Sequence, residues 1–547
     1  MTKNTLYFLI ITFFISVNIF AQLAQYDEVL EGDINTDLTL NASKKYLLRG
    51  FVNVNPPATL TIPAGTIIYG EKSSKGTLII NRGAKINAVG TPQKPIIFTS
   101  QQPIGQRGAG DWGGIILAGK ASLNVPGGTA VIEGGTGTVY GGGDNPDDND
   151  NSGIMKYVRI EFPGIAFLPD NEINGLTFGG VGSGTTIDYI QVSYSGDDSF
   201  EWFGGSVNCK HLIAFKGVDD EFDTDFGYHG KCQFLFGLRD PNIADISGSN
   251  GFESDNDGTG TLNTPRTQPI YSNVTLIGPL STPDFTQFNP NFKRGAHLRR
   301  ATLTSIYNSI IMGYPVGLLI DGQNSADGAV ANELQIRNTI IAGAQVGKNL
   351  TTNVNNFDVV AWFNTNEFAN KTFETSSEVG LVDPFNLLHP NPTPSSNSPA
   401  ALGANFSNAR LQDSFFTQVT YLGAFEPNSS RWDEGWTNYD PQNTDYTITD
   451  VNDNIDKVIS YNYHLYQNYP NPFNPLTTIN FSLPVSDYVE LSVYNLLGQH
   501  IATLINEFKN AGSYAVNFDA SNLSSGIYFY KLTTSKITIT KKMTLLK

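Results

Sequence analysis

The chain has 547 residues, enough for two to four domains, and a formal net charge of −17 with 16% charged residues. An acidic surface repels nucleic acid and anionic lipid, which speaks against both as partners and leaves membrane contact only through surface attachment. Gly 54, Phe 34 and Tyr 24 against Met 4 favour strands and turns over helices.

Residues 1–21 open with a short polar start containing Lys3, continue as LYFLIITFFISVNIF and end at Ala21. This pattern predicts a secretory signal peptide. The apolar run is about fifteen residues, short of the roughly twenty that span a bilayer as a helix. Residues 22–45 are expected to form an N-terminal cap.

Internal repeats dominate residues 46–350. TLTIPAGTIIYG from Thr59 lies over TLIINRGAKINA from Thr77 at an offset of 18 residues, with Leu60 over Leu78, Ile62 over Ile80 and Gly65 over Gly83. SYSGDDSFEWFGG from Ser193 lies over FKGVDDEFDTDFG from Phe215 at an offset of 22. NVTLIG, NSIIMG and NTIIAG begin at Asn273, Asn308 and Asn338. One apolar strand, a Gly turn and a second strand per unit predict stacked coils, with the three Asn as a ladder pairing from coil to coil. LTIPAGTIIYG, DWGGIILAGKA, YVRIEFPG and FEWFGGSVN resemble secreted bacterial right-handed parallel β-helix proteins. That architecture hosts lyases, hydrolases, adhesins and passive surface proteins alike.

Residues 351–437 are expected to cap the β-helix, with Trp432 and Trp436 packed on the last coil, and the polar stretch 438–462 to be a linker. From 463 to the end, alternation at Ile479, Phe481, Leu483, then Val489, Leu491, Val493, then Tyr514, Val516, Phe518 predicts a small Ig-like antiparallel β-sandwich of about seven strands. Six Lys against four acidic residues give this tail a net +2, leaving the rest at −19. The entry Tyr469, Pro470, Asn471, Pro472, Phe473, Asn474, Pro475, the Leu-Gly-Gln turn, the Ser-Gly-Ile-Tyr-Phe strand and the basic end resemble the type A C-terminal sorting domain of the type IX secretion system of the Bacteroidetes. The resemblance implies passage through the periplasm, handling by that secretion machinery, and a cell-surface or secreted destination.

The 22-residue repeat stacks Asp197 and Asp198 beside Asp219 and Asp220, with Asp223 and Asp225 close behind. Carboxylates about 4.8 Å apart on adjacent strands repel unless joined by something positive, and hard oxygen ligands in this number suit calcium. The alternatives are turn capping by single Asp side chains and paired-carboxylate catalysis. His229, Gly230 and Lys231 follow the acidic pairs, and Lys231 or Arg239 is the basic residue a calcium-dependent lyase would need. The motifs of polygalacturonase-like hydrolases, Asn-Thr-Asp and Arg-Ile-Lys, are missing. The acidic loops 144–153 and 253–258 lack the closing Glu of an EF-hand, with Arg159 and Thr264 at that place, and read as acidic turns. Cys209 and Cys232 permit one disulfide, although the 22-residue register sets Lys231 over Cys209. Trp202, Phe203 and Tyr228 are candidates to stack on sugar, or to lie in the core.

The sequence therefore describes an exported β-helix protein with a surface-binding or structural role and calcium as its candidate cofactor. A polysaccharide lyase or glycoside hydrolase on the same scaffold, and an adhesin or matrix component, are the alternatives. Carbohydrate is the candidate ligand.

Overall fold

The computed structural model describes residues 22–168, 171–446, 463–468, 471–483, 487–509 and 512–546. The expected signal peptide, most of the expected linker, and Tyr469 and Pro470 lie outside the described residues. The chain divides into two compact units after Ile448.

The first unit is a parallel β-helix. Twenty-six strands join one parallel hydrogen-bonded network with three faces. The first face runs through Thr59–Pro63 and Lys85–Val89 to Ser305–Tyr307 and Gln335–Arg337. The second runs through Ile67–Gly70 and Ile96–Ser100 to Ile310–Met312, Ile340–Ala342 and Lys371–Phe373. The third runs through Leu176–Gly179, Phe200–Phe203, Phe222–Asp225, Phe252–Ser254, Arg294–Leu298 and Val316–Ile320. Alternate side chains point inward. Leu176, Phe200, Phe222, Phe252, Ala296 and Leu318 stack in register along the interior, all buried.

The two sequence repeats fare differently. The 22-residue repeat is a true coil, with Phe200 against Phe222 and Trp202 against Thr224. The 18-residue repeat is not. Leu60 pairs with Ile86, and Leu78 pairs with Val52 and Ile115, so Thr59–Pro63 and Thr77–Ile80 lie on different faces of one coil. Every face is built as strand, Gly turn and strand, so one face resembles another as closely as it resembles itself one coil later. Likewise, residues 22–45 are no separate cap: Glu28–Ile34 already pairs in parallel with Lys45–Val54.

Between the first and second faces the chain turns at one left-handed residue per coil. Tyr157, Tyr189, His211, Phe234, Asn273, Asn308 and Asn338 occupy this corner, with φ between 50° and 61°. Such backbone is strained for aromatic residues. Stacking offsets it: Tyr157–Tyr189 centroids are 4.4 Å apart, Tyr189–His211 4.1 Å and His211–Phe234 5.1 Å. The three Asn share the corner as expected, but they do not bond one another. Asn273 Nδ2 donates to the Tyr421 carbonyl at 3.0 Å, Asn308 Oδ1 accepts from Asn405 N at 2.8 Å, and Asn338 Nδ2 donates to the Gly403 carbonyl at 3.1 Å. Replacing Asn308, which is fully buried, by Ala should destabilise the body by about 2–4 kcal/mol, because it orphans the Asn405 amide and leaves a β-carbon in left-handed backbone without local hydrogen bonding. Chemical denaturation of the variant checks this.

Those Asn partners belong to a strap that runs back along the coils. Thr417 exchanges hydrogen bonds with the Gln233 side chain at 2.7 and 2.8 Å. Trp432 and Trp436 pack edge-on against Tyr189 at 6.3 and 6.0 Å, in mid-helix rather than on the last coil. The end of the helix is closed instead by Val354, Phe357, Val359 and Phe363 around the short helix Val359–Phe363. The strap continues where a linker was expected. Asn438 N donates to Gln191 Oε1 at 2.8 Å, and the Tyr446 hydroxyl donates to Glu161 at 2.7 Å. Tyr446 is buried with Leu47, Tyr69 and Ile97 of the early coils.

Cys209 and Cys232 stand directly opposite each other. Gly227 to Cys232 is one residue longer than Gly205 to Cys209, and this shifts the register that the repeat implied. Both are free thiols, so the expected disulfide is not formed. They point into the apolar interior, where the Tyr228 hydroxyl lies 3.4 Å from Cys232 Sγ. Native protein should therefore leave both thiols unreactive to a soluble thiol reagent, and denatured protein should titrate two. An intact mass two hydrogens lighter would contradict this.

The second unit is a sandwich. His464–Leu465, Leu476–Leu483 and Gly512–Asp519 form one antiparallel sheet. Asp487–Asn495, His500–Lys509, Gly526–Thr533 and Thr538–Leu545 form the other. The described strands number seven, as expected. Phe473 of the entry motif is 2% exposed, and its amide and carbonyl bond Thr544 and Leu546 at 2.9 Å each. Asn471 Oδ1 accepts from Thr544 N at 2.8 Å, so the motif pins the entry strand to the last strand.

Candidate functional site

On the third face, the outward positions between the stacked aromatics read Thr177, Glu201, Asp223, Glu253 and His297 from coil to coil. Asp198 and Asp220 precede these strands, at the turns. Beyond the strands Phe200–Phe203 and Phe222–Asp225 the chain turns at a left-handed Gly, Gly205 and Gly227, and a β-carbon at Gly205 would sit 2.5 Å from the Val181 carbonyl oxygen. The hairpin Ala130–Val131 and Val139–Tyr140 covers the early part of this face, burying Ile132 and Tyr140 against Ile116 and Phe203. The carboxylates thus form a ledge beside a wall.

The structure brings the predicted Asp together and gives them different duties. Asp198 Oδ1 accepts from Asp220 N at 2.8 Å, and Asp220 in turn accepts from Asn250 N. Asp219 Oδ2 accepts from the Ser247 hydroxyl at 2.8 Å, and Asp225 Oδ1 from Phe226 N at 2.6 Å. Capping of backbone amides is therefore real for Asp198, Asp220 and Asp225, while Asp219 takes a side-chain hydroxyl. It leaves carboxylate oxygens over: Asp219 Oδ1 and Asp223 Oδ1 are buried without a hydrogen-bond partner, as is Asn174 Oδ1.

Two oxygen sets converge. Asp197, Asp198 and Asp219 each offer an oxygen within 4.8 Å of the others, and so do Asp198, Glu201 and Asp223. Two like charges within 4.8 Å of each other repel by at least about 3.5 kcal/mol at an effective dielectric constant near 20. Burial first, and neighbouring carboxylates second, push Asp197, Asp198, Asp220, Asp223 and Glu201 well above the usual carboxylate range. Burial lifts Asp219 to about 6 against the opposing Ser247 hydrogen bond. Burial, then Asp255, also raises Asp225.

Glu201 was missed, although the 22-residue offset sets it against Asp223 and could have found it. Asp220 and Asp225 belong to neither converging set.

The ledge changes character further along. Glu253 is salt-bridged to Arg299 and lies 3.4 Å from His297. Asp255 contacts Arg299 and Arg300 at 2.7 Å each. Burial would raise Glu253, but His297 and Arg299 outweigh it and hold its carboxyl below the usual range. Arg299 and Arg300 border a hollow of about 330 Å³ with Asp321, Gln323 and Asn324.

Of the basic residues expected near the Asp pairs, Arg239 alone lies close enough to Asp219 and Asp220 to oppose the rise of both carboxyls. Lys231 lies on the first face, 2.7 Å from Asp413. Arg239 is wholly buried and salt-bridged to Glu221. His229 lies 3.7 Å from Asp148. Trp202 and Tyr228 are fully buried and Phe203 lies under the hairpin, so none of the three is open to a sugar ring. The acidic loops cap turns: Asp148 Oδ1 accepts from Ser122 N at 2.9 Å, and Asp257 Oδ1 from Thr259 N at 2.9 Å.

Residues 32–381 match the Pectate-lyase like beta helix domain. The chain belongs to this family. Residues 467–545 match the Secretion system C-terminal sorting domain, so this family member is cargo of the type IX secretion machinery, bound for the cell surface or the medium. No curated protein matches the chain. In this pectate-lyase-like β-helix the ledge is made of hard oxygen donors, without sulfur or nitrogen in either converging set. Oxygen donors in this number, all within 4.8 Å of one another, suit a hard cation such as calcium, which takes six to eight oxygen ligands.

Proposed function

We propose that this secreted β-helix protein binds calcium on its third face and serves as a surface-binding or structural element outside the cell. The observation that carries the reading is the convergence of Asp198, Glu201 and Asp223, with oxygens left unpaired at Asp223 and, beside Glu201, at Asn174. Asn174 donates its amide to Glu201, which supports Glu201 as a ligand carboxylate. Asp197 and Asp219 complete a second, more exposed set.

A calcium-dependent polysaccharide lyase or glycoside hydrolase is the second reading. It is favoured by the hollow at Arg299 and Arg300, which sets basic side chains at the downstream end of the same face. On this reading Arg300, with 42% of its side chain exposed, is the residue open to a ligand carboxylate.

A ligand that binds only the folded chain at one hundred times its dissociation constant adds about 2.7 kcal/mol. For a body of this size that corresponds to about 3 °C in Tm. Thermal melts in millimolar calcium and in chelator should differ by this much, and equal melting temperatures would overturn the proposal. Screening the calcium-loaded protein against acidic glycans, for binding and for cleavage, separates the two readings.

A further inference from the structure

We infer that the export machinery grips the sorting domain on the outer face of its four-stranded sheet, together with the turn at Leu496 and Leu497. A sandwich turns its apolar side chains inward, and here Val489, Leu491, Val493, Tyr530 and Leu532 do so, all fully buried. The opposite side chains of the same strands should then be polar. Instead the outer face carries Tyr488 beside Phe508 at one end, 53% and 63% exposed. At the other end Tyr494 stands beside Phe529 and His500. The turn beyond adds Leu496 at 67% and Leu497 at 82% exposed.

A hollow of about 360 Å³ opens between these groups, lined by Tyr494, Leu496, Phe529 and Lys531. Lys531 Nζ lies 4.9 Å from the centre of the Tyr494 ring, and Lys542 stands across from Phe529. The other sheet offers no comparable face. On its outward side the Thr478 hydroxyl bonds Asn517 at 2.9 Å, and Leu476 is its one large exposed apolar side chain among the described residues.

The occupant follows from the family match. A sorting domain must be held by a protein of the secretion apparatus, and its inward face is already filled. Half-buried aromatic rings and an exposed leucine lining a pocket, with Lys531 in its wall and Lys542 across from Phe529, fit a protein surface that presents apolar side chains and carboxylates. The acidic body has the wrong charge for such a partner, and the net +2 tail has the right one.

The test is export of the full chain from its own host, read as the ratio of surface and medium protein to periplasmic protein. Leu496→Ser with Leu497→Ser, and separately Lys531→Glu with Lys542→Glu, should each lower that ratio about tenfold or more, the size expected when interface anchors are removed. Thr478→Ala with Asn517→Ala on the opposite sheet should leave it unchanged. Protease resistance of the sorting domain in the periplasmic fraction reports folding. If the leucine variant loses that resistance, the charge-reversal variant decides alone. Normal export of either folded variant, or equal loss in the Thr478 and Asn517 control, would overturn the assignment.

Discussion

Removing residues 463–547 should abolish delivery to the cell surface while leaving the β-helix folded in the periplasm. The deleted part has its own hydrophobic core, built on Phe473, Phe481, Leu491, Tyr530 and Met543, and the division into units falls before it. Among the described residues, the β-helix interior and its strap run to Tyr446. Loss of the sorting domain therefore removes the export signal and leaves the core of the first unit whole. Fractionation of cells carrying the truncated chain measures this. A truncated protein found outside at normal levels would show that the sorting domain is dispensable.

The largest effect on stability should come from pH and calcium together. The ledge carboxyls have raised affinities for protons in the folded chain, so protonation stabilises the calcium-free fold. That stabilisation is fully present below about pH 4, the unfolded value, and is lost as pH rises through about 6 for Asp219, with its neighbours Asp198 and Asp223 raised in the same direction. Moving Asp219 from 3.8 to about 6 corresponds to about 3 kcal/mol of pH-dependent stability. Calcium takes the place of those protons. The Tm gap between calcium and chelator should thus widen steadily from pH 5 to pH 8, and Glu201→Gln with Asp223→Asn should flatten it. A gap that stays constant with pH would mean that calcium, if bound, does not compete with protons on the ledge.

Much of the fold was legible because a β-helix writes its period into the chain. The stretch from Ser193 to Gly227 repeats at the true coil length, and the corner Asn residues mark three further coils. The failures share one cause, which is register. Thr59 and Thr77 look alike because faces of one coil use the same strand and Gly turn. Cys209 and Cys232 come opposite each other through a single extra residue after Gly227. The partners of Glu253 are 44 and 46 positions away at His297 and Arg299, beyond a long inserted loop, so the countercharge that divides the ledge into an unpaired and a paired half left no local signal. The strap was misjudged for a related reason: its polar residues bond corner side chains and backbone along the coils, and polarity alone reads as a linker.

The most direct test of the calcium ledge is isothermal titration of calcium into the purified full chain at pH 7.5. The account predicts saturable binding that is lost in the Glu201→Gln, Asp223→Asn double variant and retained when the capped, outlying Asp225 is changed to Asn. Absence of binding to the unsubstituted protein, or binding that survives loss of Glu201 and Asp223, would contradict it.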